Sequence, residues 1–336
     1  MMRTSDVTGR INQGRAIALL ITFIIVVSFL LSACAAKAPE KGTDGRLDIV
    51  TTIFPPFDFV RAIGGQEVDV MMLLPPGSES HTYEPSPREV VRIAECDLFI
   101  YNGGISDAWV ERLIEAAEIY RGKTVRMMDF VSLLEESHEG ILEDDDDHHD
   151  HDHSDIPQLH AYDEHIWTSP KNALLIAEGI TDRMAASDPG REALYRTNLA
   201  TLKEGLLGID GEFRKIVEEA QVREMIVADR FPLIYFTSEY GLAYTAAFPG
   251  CAAETDAKPK TVAGIISRVQ EESIPYIFHI EFSDEKLADL IAEETGAGKL
   301  LFHTAHNVSK DELEAGATYL SIMHDNTLRL KRGLSR

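Results

Sequence analysis

From Arg46 onward, short β-branched apolar runs alternate with longer stretches in which apolar residues recur every three or four positions. The first pattern has the period of a strand and the second that of a helix packed on one side, so the chain reads as βα units around parallel sheets. Strands are predicted at 47–53, 68–74, 97–101 and 124–128, and in a second series at 224–228, 243–247, 276–280 and 299–302. Helices are predicted at 57–63, 87–95, 107–117 and from Ser169-Pro170 to about Ala186. Ser86-Pro87-Arg88-Glu89 reads as a capping box with proline at the first helical position. After the second series of strands begins, helices are expected near 260–271, 283–295 and 311–330.

Between the two series lies a longer helix, opened by Ser187, Asp188 and Pro189 and running to about Gln221. Leu199, Leu202, Leu206, Ile209, Phe213, Ile216 and Ala220 form its stripe, one apolar face held for over five turns. Gly205, Gly208 and Gly211 interrupt it at up to ~1 kcal/mol each relative to alanine, and the sequence gives no reason for them. The fold class is therefore α/β, two halves bridged by one helix. The expected divisions are 46–186, 187–222 and 223–336.

The first 45 residues fall outside that pattern. Arg3, Arg10 and Arg15 precede an apolar run, Ala16 to Leu31, that is short for a membrane span, which marks a signal peptide over 1–33. Leu31-Ser32-Ala33-Cys34 resembles the lipobox of bacterial lipoproteins, with Cys34 as the lipidated residue, and 34–45 reads as a tether. The expected location is the extracytoplasmic face of the cell membrane, held by lipid.

Charge narrows the ligand. The net charge is −24, and loss of 1–33 makes it two units more negative. Such a polyanion is a poor partner for nucleic acid or an anionic surface, whereas cations suit it. Cys34, Cys96 and Cys251 are too few for a thiolate zinc site or a disulfide scaffold, and Cys96 and Cys251 are expected as buried small apolar residues. Donors must then be nitrogen and oxygen. The loop 143–153 concentrates them, with His148, His149, His151 and His153 among aspartates. A segment so polar is expected to be a flexible metal collector beside a fixed site. Candidates for the fixed site follow strand ends, where open α/β sheets bind ligands. They are His81 past the strand ending at Leu74, His165 before a helix, Glu281 after Ile280, and His303 after Phe302.

Gly77 to Pro87 (GSESHTYEPSP), Asp163 to Pro170 (DEHIWTSP), the acidic histidine loop and Tyr319 to Met323 (YLSIM) together closely resemble the zinc and manganese solute-binding lipoproteins of bacterial ABC importers. The resemblance runs from the lipobox to the C-terminal helix. It implies two lobes, each a mostly parallel sheet flanked by helices, joined by one rigid helix, with the metal at the lobe interface. It also implies a monomer that delivers its ion to a membrane permease and catalyses nothing. His81 and His165 match the first two ligands of that family.

The third ligand does not carry over, because Arg230 stands at its position and a guanidinium has no lone pair to give. Glu281 and His303 are the expected substitutes, with His306 in reserve and Asp229 as an outsider. A carboxylate, Glu239 or Asp256, is expected to pair with Arg230. Histidines outnumber carboxylates, which favours Zn2+ over Mn2+. A zinc hydrolase is the competing enzymatic reading, but no His-Glu-x-x-His occurs and 160–165 misses the inverted motif by one residue. Metal storage and surface adhesion compete with delivery as well, and the number of equivalent ions bound would tell them apart.

Overall fold

The computed structural model describes residues 45–79, 83–119, 121–136, 140–141, 162–250 and 257–336. Cys34 and the signal segment, His81, the loop 143–153 with His148, His149, His151 and His153, and Cys251 lie outside the described residues. The elements in chain order are β1 (Leu47–Thr51), α1 (Phe54–Gly64), β2 (Val68–Met72), α2 (Pro87–Glu95), β3 (Leu98–Tyr101), α3 (Ala108–Ala116) and β4 (Thr124–Arg126). Helix α4 (Pro170–Ser187) and the long α5 (Glu192–Glu219) follow. The second series is β5 (Glu224–Phe231), α6 (Ile234–Tyr240), β6 (Ala243–Pro249), α7 (Pro259–Glu271), β7 (Tyr276–His279), α8 (Lys286–Thr295), β8 (Gly298–Leu301), α9 (Lys310–Glu314) and α10 (Tyr319–Gly333).

Each series closes into a four-stranded parallel sheet, ordered β2-β1-β3-β4 and β6-β5-β7-β8. The two orders are the same, a structural repeat that no fixed period in the sequence announced. In both, the order reverses beside the first strand, which opens a crevice at the strand carboxyl ends. Alternation along the strands decides what each face meets. Ile49, Leu98 and Ile100 face one apolar cluster, while Val50, Phe99 and Tyr101 face another. In the second sheet Met225, Val227 and Phe278 join the first cluster, and Ile226, Ala228 and Ile277 turn to a third. One apolar interior thus belongs to both sheets.

Helix α5 lies across that interior. Tyr195, Leu202, Leu206, Ile209, Phe213 and Val217 are its buried face, with Leu199 and Ile216 partly covered. Its neighbours are α1 and α4 from the first half, α10 and α6 from the second. A methyl on Gly205 would stand 2.7 Å from Leu320 Cδ1, so close approach of α10 accounts for that glycine; nothing lies within 4 Å of one on Gly208 or Gly211.

Beyond shifts of up to about three residues at element ends, three helical features depart from the sequence reading. Helix α6 is short and rich in aromatic and β-branched residues, and its pattern is not helical by eye; burial of Tyr235, Phe236 and Tyr240 holds it. The single helix expected at 311–330 is two, because Gly316 takes a left-handed φ of 83° and Thr318 starts a new capping box. The long helix begins with a 3-10 turn at Pro189–Arg191. Cys96 is buried, as expected, and burial pushes its thiol up to about 11.

Candidate functional site

Loops from both halves meet over a cavity of about 30 Å³, lined among others by Glu79, His165, Arg230, Glu281, Phe282 and His306. That volume admits a single ion and a water. From the first half, the turn after β2 is fixed by the second: Asn307 Nδ2 donates to the carbonyls of Pro75 (2.8 Å) and Ser78 (3.0 Å), and Gly77 N donates to Val308 O (2.8 Å). This turn leads directly to Glu79 and His81.

His165 caps the 3-10 turn that enters α4, and its ring is 2% exposed. Its backbone N–H donates to Asp163 Oδ1 at 2.8 Å, and ring Nδ1 donates to the same oxygen at 3.2 Å. That bond fixes the tautomer and leaves the Nε2 lone pair for a ligand. Burial disfavours its charged form, but the Asp163 carboxylate outweighs burial and raises the pKa. Tyr235 of α6 donates to Asp163 O at 2.9 Å, so the second half braces this loop.

His306 comes from the loop after β8. Its ring packs edge-on against His165 (5.7 Å between centroids) and Trp167 (5.1 Å). Ala305 holds a left-handed φ of 59°, a conformation that costs a non-glycine residue and re-aims the next side chain. Glu281 is the organiser of this loop. Its carboxylate accepts from Thr304 N (2.8 Å), Thr304 Oγ1 and His306 N (3.3 Å).

His303 is placed otherwise. It does not line the cavity; Nδ1 accepts from Ala305 N at 2.9 Å, and buried Nε2 points toward Glu312 Oε1 at 3.6 Å. The ranking read from strand ends, His303 before His306, is thus the reverse of the order in which the two imidazoles approach the cavity. Asp229 lies beside a second cavity of about 310 Å³, and its Oδ1 accepts from Arg230 N at 2.7 Å. Arg230 lines both cavities and pairs with Glu79 (Nη1 to Oε1, 3.2 Å), not with Glu239, whose carboxylate is shared by Arg214 and Lys171. Asp256 lies outside the described residues.

Among the described residues, no three His, Cys, Asp or Glu side chains are grouped to hold a metal. His165 and His306 supply two donors at one cavity, and the third expected donor, His81, is outside the described residues. Reading the sequence missed Glu79, Trp167 and Asn307. Only Glu79 carried a signal, two positions before His81.

The sequence profile of the family described as zinc-uptake complex component A, periplasmic, matches residues 49–333. The chain belongs to this family. Its relatives include the zinc-binding lipoprotein AdcA of Streptococcus pneumoniae, 28% identical over 313 residues. That match covers 91% of this chain and 60% of AdcA, so the chain spans less than two thirds of that relative's length. The high-affinity zinc uptake system protein ZnuA of Bacillus subtilis is 28% identical over 316 residues, 93% of this chain and 96% of ZnuA. Among solved structures, the Zn(II)-bound ZnuA-like domain of pneumococcal AdcA superposes with a TM-score of 0.70 at 25% identity, over 86% of this chain and 99% of that one. The metal-dependent lipoprotein YcdH from Bacillus subtilis gives 0.71 at 26% identity, over 86% of this chain and all of that one. The two-lobed α/β architecture is shared with both.

Proposed function

We propose that this chain is an extracytoplasmic solute-binding protein that captures one zinc ion between its lobes and delivers it to an ABC-type importer. The observation that carries the reading is the meeting of His165 and His306, one from each half, at a cavity sized for an ion. Membership of a zinc-uptake family and relatives named for zinc binding support it. Zinc is the cargo, and no reaction is part of this reading. In it His81, His165 and His306 are the imidazole ligands, and Glu281 holds the His306 loop while adding negative charge. His303 supports that loop from behind. Imidazoles and a small cavity suit zinc better than manganese, which prefers more oxygen donors. The loop 143–153 gathers metal ions, Cys34 carries the lipid, and the chain acts as a monomer.

The test is zinc competition against a chromophoric chelator, using the mature chain. One tight equivalent is expected. Altering residues that only support a metal ligand already costs 10–100-fold, so His165→Ala and His306→Ala are each expected to weaken it by more than about 100-fold. Wild-type affinity in either variant rejects that residue as a ligand.

A further inference from the structure

Arg230 is an awkward neighbour for a cation. It lines the small cavity beside His165 and His306, and its pairing with Glu79 keeps that carboxylate occupied. Three neutral imidazoles leave zinc its full double charge, and the oxygens of Glu281 already serve three donors of its own loop. Glu281 offsets part of that charge while holding its own loop, and Glu79 is the carboxylate that lines the cavity from the first half.

The second cavity supplies a place for the guanidinium to go. Strand β5 loses its regular register with β6 between Val227 and Arg230, and a bulge of this kind re-aims side chains. Asp229 and Arg230, which ordinary alternation would send to opposite faces, therefore both line the cavity of about 310 Å³. Each has bonding capacity left over there: Asp229 Oδ2 is buried with no donor in close hydrogen-bond geometry, Ser283 being the side chain that approaches this carboxylate, and Arg230 Nε is buried with no acceptor. Two complementary orphans on consecutive residues are unusual in a folded protein, where such groups are nearly always satisfied.

We propose that Glu79 is a carboxylate ligand of the bound metal, freed by a partner exchange in which Arg230 passes from Glu79 to Asp229. The inference rests on the zinc-binding reading above. No proton moves in the exchange. Zinc takes the carboxylate that Arg230 gives up, the guanidinium draws back from the ion, and Asp229 gains its missing donor. The residue that cannot ligate becomes the keeper of one that can.

The experiment uses the mature chain, measuring zinc affinity by chelator competition and the cobalt(II) absorption bands as a report on donor type. Glu79→Gln, which keeps shape and hydrogen bonding to Arg230, is expected to weaken zinc 10-fold or more and to change the cobalt spectrum. Arg230→Ala removes the competitor and is expected to tighten zinc with the carboxylate still bound. Asp229→Asn is expected to weaken zinc severalfold with the spectrum unaltered, since only the guanidinium's destination is impaired. Thermal unfolding of each variant confirms that it folds. Tight zinc binding by wild type with an unchanged cobalt spectrum in Glu79→Gln overturns this proposal alone, whatever that variant's affinity. Failure of the wild-type chain to bind zinc overturns it together with the reading on which it rests.

Discussion

His303 and His306 differ by three positions and by everything that matters to a ligand. The imidazole of His303 is spent within the protein, accepting from Ala305 N, while its own backbone is tied through Asn326, which accepts from His303 N and donates to His303 O. His303→Ala should therefore cost stability, about 1–3 kcal/mol from the unpartnered N–H and lost packing, and leave zinc affinity within a few-fold. Denaturant unfolding and chelator competition on the same preparation check both parts, and a His303→Ala chain of full stability that has lost zinc would reverse the assignment. The sequence pointed to the stretch after β8, since an apolar strand must end at the crevice, and one imidazole of that stretch, His306, lines the cavity. It could not rank the two histidines, because the ranking is set by one left-handed residue, Ala305, and nothing in an alanine advertises that conformation.

At the scale of elements, the periodicities carried far. All eight strands lie where β-branched runs place them, and α2 has its expected ends, because local capping and a one-sided apolar face agree there. Where the signal was weak, tertiary burial decided instead, as in α6, or a single glycine did, as between α9 and α10. The glycines of α5 divide in the same way. Gly208→Ala and Gly211→Ala meet open space and should each stabilise the chain by up to about 1 kcal/mol. Gly205→Ala should gain less than either, because Leu320 has to shift its methyl to admit the new carbon. Urea midpoints for the three variants measure this directly; an equal gain at Gly205 would mean that α10 is not held against α5.

For the whole molecule, the joints between the halves matter most. Asp58 of α1, buried, accepts from Tyr319 N at the start of α10 at 2.8 Å, and Tyr319 in turn donates its hydroxyl to Trp167 O at 2.7 Å. Burial pushes Asp58 up to about 6 from its usual 3.8. The folded chain thus keeps a proton that the unfolded chain has released, and this group's contribution to stability falls as pH rises between about 4 and 6, at no more than ~1.4 kcal/mol per pH unit. Asp58→Asn retains an acceptor oxygen but cannot ionise. Relative to wild type it should gain stability across that window and hold the gain above it, as read from denaturant unfolding at pH 4.5 and 7.5. A gap between the two proteins that does not change with pH would mean that Asp58 does not titrate in this range.

The single apolar interior beneath both sheets has a consequence for traffic. Swinging the lobes apart would lay open Leu98, Ile100, Val227 and Phe278 together with the face of α5, so wide opening amounts to partial unfolding. On the delivery reading proposed above, loading and discharge would be worked by the thin layer above that interior, where the 75–79 turn is pinned by Asn307. A permease that emptied this carrier would pick a lock at its rim and leave the hinges still, and the speed of delivery would be set by how quickly a few side chains change partners.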